Sequence, residues 1–196
     1  MADIIHVQKD YEVAIETALG GSIQNIVTDN EQTAKRMIGF LKKNRFGRAT
    51  FLPLSNISGR GGLNQRDVLS EPGVVGTANT LVNADKEYSE LVMYLLGRVL
   101  VVDNIDHAIA IGKKYRHSLR MVTIEGESLS PGGSMTGGAF KNNSNLLGRR
   151  REIEELERSV GILRKELEET QKSIGENRSR RNVLRDTIAD FQQKLR

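Results

Sequence analysis

Residues 130–138, Ser-Pro-Gly-Gly-Ser-Met-Thr-Gly-Gly, carry four glycines in two pairs around Ser134, Met135 and Thr136. Such a stretch admits three kinds of chemistry. Backbone amides of a glycine-rich loop can cradle a phosphate. A Gly/Ser segment can serve as a flexible linker. Bare backbone can also let another chain approach closely. The phosphate loop needs Gly, four residues, then Gly-Lys-Ser/Thr. Gly132 and Gly137 have that spacing, but Gly138 and Ala139 stand where the lysine and hydroxyl belong. A linker would lack apolar anchors, yet Met135 and Phe140 interrupt this one, and the preceding Met121–Ser130 alternates as a strand does. Close approach by a second chain is the best supported of the three, and the other two stay open.

Elsewhere the chemistry is sparse. His6, His107 and His117 are scattered with no i, i+4 pair to hold a metal. There is no cysteine, hence no disulfide framework and no thiolate site, which suits a reducing cytosol. Ser130 and Ser134 lie in no nucleophile-elbow motif. Asp103 and Asp106 read better as helix-capping groups than as a catalytic pair. No catalytic residue, metal or cofactor is therefore expected.

The net charge of +4 conceals a strong segregation. Eight Lys/Arg and no Asp or Glu fall between Gln32 and Arg66, and four more, again without an acid, between His107 and Ile124. Acid-free basic segments are either solvated helix faces or surfaces for a phosphate backbone, which attracts cations without regard to sequence. Aromatic residues that could stack on bases are few near them, namely Phe40, Phe46 and Tyr115.

The elements that must position these groups are written as an internal repeat. Lys9–Gly20 aligns with Lys86–Gly97 without a gap. Ile26–Ala34 then aligns with the segment around Asp103, Asn104 and Ala108, and Arg48–Leu52 with Met121–Ile124. Each copy reads as helix, glycine stop, short strand, capped helix ending in Lys-Lys, and strand. Two copies predict two related α/β lobes with pseudo-two-fold symmetry. The boundaries expected are a first lobe at 1–54, a connecting loop region at 55–80, a second lobe at 81–146 and a helical arm at 147–196. In the arm, Ile153, Val160, Leu167, Ile174, Arg181, Ile188 and Leu195 recur every seventh residue. Leu156, Leu163, Thr170, Asn177, Leu184 and Phe191 form the companion row, and ten of these thirteen positions are apolar. That pattern predicts a coiled coil whose partner helix is not written in this sequence.

Taken together, the glycines at 126, 133, 137 and 138 have the spacing of the glycine signature in the hinge domain of structural maintenance of chromosomes (SMC) proteins. Ala18–Val27, Phe40–Leu54 and Glu71–Gly76 follow the bacterial form of that family in order. The chain is therefore similar to an SMC hinge over about residues 3–145, with the start of an outgoing arm behind it. The resemblance implies an α/β (α+β) hinge of two pseudo-symmetric subdomains followed by a long coiled-coil helix. It implies a homodimer with Gly126, Gly133, Gly137 and Gly138 at the subunit contact, and Met135 beside them. It implies non-specific DNA binding, single- or double-stranded, for which Lys42, Lys43, Arg45, Arg60, Lys113 and Lys114 are the candidates. It further implies an antiparallel helix of the parent chain against the arm, and ATPase heads, absent from this sequence, at the far ends of the arms. A cytoplasmic, nucleoid-associated chain with no membrane span is expected. The contrasting expectation is an α/β ligand-binding or enzymatic module on a coiled-coil stalk, with the glycine loop holding an anion.

Overall fold

The computed structural model describes residues 1–59, 62–138 and 146–194. They fall into two compact units, Met1–Arg149 and Arg150–Arg196. Arg60 lies outside the described residues.

The first unit opens with strand β1 (Ile5–Val7), a 3-10 turn and helix α1 (Glu12–Leu19). Strand β2 (Ile26–Thr28), helix α2 (Glu31–Asn44) and strand β3 (Phe51–Pro53) complete the first copy of the repeat. Strands β4 (Val74–Thr77) and β5 (Val82–Ala84) follow, then the second copy as helix α3 (Ser89–Leu96), strand β6 (Val99–Val102), helix α4 (Ile105–Lys114) and strand β7 (Arg120–Thr123). Strands β8 (Ser128–Leu129) and β9 (Met135–Thr136) lead to helix α5 (Leu146–Lys194).

The repeat is visible at the level of single bonds. A 3-10 turn, Lys9–Tyr11 or Lys86–Tyr88, precedes an eight-residue helix in each copy. In both copies an extended asparagine then caps the second helix. Asn30 accepts from the Thr33 N–H and Asn104 from the His107 N–H, each at 2.9 Å. Each cap satisfies an orphan amide and is worth about 1 kcal/mol. In both copies the following strand runs parallel to the preceding one, β2 to β3 and β6 to β7.

What surrounds those parallel pairs differs. The second pair is the centre of a five-stranded sheet in the order β4-β6-β7-β8-β9. The first pair stands as a two-stranded sheet. The 55–80 segment, expected to connect, thus also supplies an edge strand, and β5 pairs antiparallel with β1 across the lobes.

The Val-Leu-Val-Val run of β6 is buried throughout, as a central strand covered on both faces must be. Its alternation sorts two cores. Val99 and Val101 join Ile15, Ala18, Leu91 and Leu96 on one face. Leu100 and Val102 join Ala108, Ile111 and Met121 on the other. Fully burying a side chain such as Leu96 contributes roughly 1.5–3 kcal/mol. The first cluster draws on both copies of the repeat, so the lobes share a core rather than sit side by side. Arg120 reinforces the join by donating to the Ala18 carbonyl at 2.8 Å, the end of α1.

In the second unit α5 continues as a helix. The whole of α5 has 49 residues, about 73 Å at 1.5 Å per residue. The seam residues are exposed: Ile153, Leu156, Val160, Leu163, Leu167, Ile174, Leu184, Ile188 and Phe191 are between 46% and 62% accessible. A helix with such a stripe is stabilised chiefly by a partner covering it. No helix among the described residues is long and apolar enough to cross a membrane.

Candidate functional site

The glycine-rich stretch forms two closed turns. Strands β7 and β8 are joined by a hairpin in which the Gly126 N–H donates to the Thr123 carbonyl at 3.1 Å and the Thr123 N–H to the Glu127 carbonyl at 2.9 Å. Gly126 sits at φ +98, the position in a three-residue hairpin loop that excludes most side chains. Thr17 donates to its carbonyl at 3.4 Å, tying the turn to α1.

Between β8 and β9 the chain makes a second turn. The Gly133 N–H donates to the Ser130 carbonyl at 3.0 Å, with Pro131 first and Gly132 second in the corner. Gly132 has φ +90, as a type II turn requires of its third residue. The Gly132 N–H donates to the His117 carbonyl at 2.8 Å. The Gly132 and Gly133 amides, which a phosphate cradle could use, are therefore engaged within the chain, and the stretch is ordered by its own turns.

This turn delivers β9 to the edge of the sheet. Leu129 faces Met135 and Ser128 faces Thr136, while Ser130 N–H donates to the Ser134 carbonyl at 2.9 Å. Because hydrogen-bonded and non-hydrogen-bonded pairs alternate, Met135 turns its backbone groups outward, away from β8. Its side chain is 51% exposed. Gly137 and Gly138 follow. A side chain at Gly137 would press on the Glu127 Cγ at 3.0 Å, whereas one at Gly138 would meet nothing within 4 Å. Among the described residues nothing fills the space at Gly138, and its φ of +137 disfavours a side chain there.

A complementary surface lies on the first lobe. Helix α2 buries one residue, Ala34, whereas its counterpart α4 buries Ala108, Ile111 and Gly112. Met37, Ile38 and Phe40 on α2 are exposed, as are Ile26 on β2 and Phe46 beyond the helix. The Phe40 and Phe46 rings lie 5.8 Å apart, and both remain more than half exposed. An apolar face of this kind on an otherwise well-packed unit marks an interaction surface.

The basic candidates separate by environment. Lys42 and Lys43 occupy the last turn of α2, and Arg45 closes that helix in the left-handed conformation at φ 56. The chain from Lys42 to Thr50 is exposed throughout. Lys113 and Lys114 end α4 in the equivalent place. There Lys114 Nζ lies 2.5 Å from Glu71 Oε1, which holds that carboxyl below its ordinary range. Burial and the acceptors Glu71 and Asp67 push the Tyr115 hydroxyl well above its usual value. At the second basic end Lys114 is thus paired with an acid 43 residues away in sequence. The two ends equivalent in sequence are not equivalent in charge.

One group was not anticipated. Glu16, on the buried side of α1, accepts from the Leu146 N–H at 3.1 Å and so caps the first turn of α5. Leu147 and Met1 are buried in the same core cluster as Ile15. Burial raises the Glu16 carboxyl above its ordinary value, opposed by the Leu146 and Leu147 amides that favour the anion. Only a distant-contact map could have revealed it, since 130 residues separate the partners.

A two-lobed α/β body with an edge strand between glycines, followed by a long helix whose apolar seam is exposed, has the makeup of a hinge-type module. Comparison with known proteins is consistent. The family model described as SMC proteins Flexible Hinge Domain matches residues 1–112. The chain belongs to the SMC hinge family. It is 45% identical over 162 residues to the chromosome partition protein Smc of Bacillus subtilis (strain 168), covering 81% of this chain and 14% of that protein. It is 44% identical over 156 residues to the same-named protein of Clostridium kluyveri (strain NBRC 12016), covering 79% of this chain and 13% of that one. The chain therefore spans about an eighth to a seventh of the length of these relatives. Among solved structures, an asymmetric dimer of the Geobacillus stearothermophilus SMC hinge domain matches with TM-score 0.73 and 42% identity, covering 82% of this chain and 65% of that one. The Pyrococcus furiosus Smc hinge domain with an extended coiled coil matches with TM-score 0.60 and 30% identity, covering 100% of this chain and 69% of that one.

Proposed function

We propose that this chain is the dimerisation hinge of a chromosome-partition ATPase and joins a second copy of itself through β9. The observation that carries this is the asymmetry of the repeat. Among the described residues the second lobe ends in a strand with no neighbour on its outer edge, while the first lobe has a two-stranded sheet and a helix with an exposed apolar face. One copy thus has one surface of each kind. A two-fold axis that brings the edge of one copy to the open lobe of the other satisfies both, twice, and closes the assembly. Gly133, Gly137, Gly138 and Met135 belong to the contact itself. Gly126 supports it by shaping the β7–β8 hairpin. The Geobacillus relative, a dimer by its own description, supports the reading.

DNA would be held at the exposed end of α2 by Lys42, Lys43 and Arg45, with Arg60 in the following segment. Lys113 contributes less, and Lys114 least because of Glu71. The seam of α5 would be covered by an antiparallel helix of the same parent chain. ATP hydrolysis belongs to other parts of that parent, and this chain takes no cofactor. The setting is the cytoplasm, at the nucleoid.

Sedimentation at several concentrations tests the dimer, and a monomer throughout the micromolar range would remove the central claim. For DNA, Lys42→Glu with Lys43→Glu should weaken binding to all sequences and reduce the slope of log K against log salt by about 2, as expected for two lost phosphate contacts. An unchanged slope takes these lysines out of the account.

A further inference from the structure

Both copies of the repeat end their second helix with the same pair of bonds. In the first, the Arg45 N–H donates to the Lys42 carbonyl at 3.4 Å and the Phe46 N–H to the Leu41 carbonyl at 3.1 Å. In the second, the Arg116 N–H donates to the Lys113 carbonyl at 3.2 Å and the His117 N–H to the Gly112 carbonyl at 2.7 Å. This pattern satisfies the last carbonyls of a helix and places its first donor in the left-handed region. Phe46 and His117 therefore hold equivalent places. They differ in backbone. In the first copy Arg45 alone is left-handed, at φ 56, whereas in the second Arg116 at φ 52 is followed by His117 at φ 50. A second residue with a Cβ in that region is unfavourable, because the Cβ crowds the carbonyl that follows.

The extra turn re-aims the His117 carbonyl, and that carbonyl accepts the Gly132 N–H at 2.8 Å. Gly132 is the corner of the turn that delivers β9. The imidazole lies in the same gap. A side chain at Gly112 would meet its Nδ1 at 3.2 Å, and one at Gly133 would meet its Cγ at 3.6 Å. His117 thus stands between the end of α4 and the corner, bonded to both through its backbone. Strand β9 has two residues and pairs only with Ser128 and Leu129 among the described residues. So short a pairing holds a strand weakly, and a second anchor at the corner matters correspondingly more.

We infer that His117 is a positioning residue for the dimer contact. Its left-handed backbone braces the corner at Gly132 against α4 and so holds β9 in the one conformation that a second copy meets. The inference rests on the reading that β9 is the contact. The brace acts before the encounter, by removing alternative conformations of the edge whose loss association would otherwise have to offset. A place equivalent to that of Phe46, on the open face of the first lobe, is used in the second lobe to hold the chain's own edge strand.

Two variants that both lack the imidazole test this. His117→Pro cannot reach φ +50 and has no N–H for Gly112. His117→Asn keeps the N–H and tolerates the left-handed region. Amide hydrogen exchange at Gly132 reads the brace, and sedimentation velocity over a concentration series reads the dimer. His117→Asn should keep Gly132 protected and hold Kd within about fivefold, the range of an ordinary exposed substitution made at both edges. His117→Pro should speed Gly132 exchange at least about tenfold. With the corner closed about a third of the time in each copy, Kd rises about tenfold. The Val101 and Val122 amides, in the buried central strands, should remain protected and show that the lobe is folded. Where His117→Pro unfolds the lobe, His117→Val, a donor disfavoured in the left-handed region, gives the same order of effects. Equal Kd in the proline and asparagine variants, with Gly132 released only in the first, overturns the inference and leaves the dimer standing. So does an equal loss in both with Gly132 protected in both, which would put the imidazole itself at the contact. An unaltered chain that sediments as a monomer fails the dimer reading instead, and this role of His117 with it.

Discussion

Met135→Asp is the sharpest perturbation of the proposed contact. Met135 is the one large apolar residue of β9 and is 51% exposed in the single chain. Fully burying such a side chain is worth ~1.5–3 kcal/mol, so covering the exposed half contributes about 1 kcal/mol per contact. A closed two-fold assembly makes the contact twice. Met135→Ala should therefore cost about 2 kcal/mol, or about 30-fold in Kd. An aspartate adds the desolvation of an unpaired carboxylate, several kcal/mol per ion. Taking ~3 kcal/mol at each of two contacts brings the loss to about 8 kcal/mol, nearly six orders of magnitude in Kd. A nanomolar dimer would then dissociate to monomers at any practical concentration. Sedimentation velocity over a concentration series reads the effect, with a thermal melt as control. The melt should hold its midpoint apart from the part due to dissociation, because the side chain, on the Leu129 face of the edge strand, is half exposed and belongs to neither buried core. If Met135→Asp sediments with the dimer constant of the unaltered chain, β9 is not at the contact and the argument from the open edge fails.

Three further outcomes follow from the geometry. Gly132→Ala places a side chain at φ +90 in a type II corner and should cost about 1 kcal/mol or more, lowering Tm by about 2–4 °C. Asn30→Ala and Asn104→Ala should each cost about 1 kcal/mol in urea melts, since both remove a cap of the same geometry; very unequal losses would show that the repeat is not energetically a repeat. Glu16 has its carboxyl raised in the folded chain above the ordinary 4.5. The folded state therefore binds the proton more tightly, and that share of stability is present below the ordinary value and lost as pH rises through the raised one. Glu16→Gln should flatten the corresponding fall in stability measured by urea melts from about pH 4 to pH 7, and an unaltered pH profile would contradict the burial argument.

Much of the fold is legible in the sequence because the repeat is local. The gapless match of Lys9–Gly20 with Lys86–Gly97 becomes two 3-10 turns and two eight-residue helices in the same register. Asn30 and Asn104 announce their helices from the position just before each begins. The seven-residue spacing of the arm needs no tertiary information and appears as one exposed stripe. The alternation of Met121–Ser130 gives β7 and β8, though not the corner at Gly126 between them. What resists reading depends on partners distant along the chain. Strand β4 sits in a stretch rich in loop residues and is a strand only because β6 supports it. Gly126 reads as a member of the contact signature and Gly132 as part of the same loop, yet each answers to a turn in its own chain. Lys113-Lys114 matches Lys42-Lys43 in spacing, and only the fold brings Glu71 up to cancel one of them.

The shortness of β9 has a consequence for fidelity. A two-residue strand offers a passing peptide very few backbone bonds, and the glycines that follow it extend a strand poorly. Such an edge is a weak template for unrelated extended chains, the hazard that longer bare edges carry. In the proposed dimer it becomes adhesive only when an apolar surface arrives in the same encounter, as the exposed face of α2 would. Recognition of self then works as a coincidence detector, in which neither half is sticky enough to err alone.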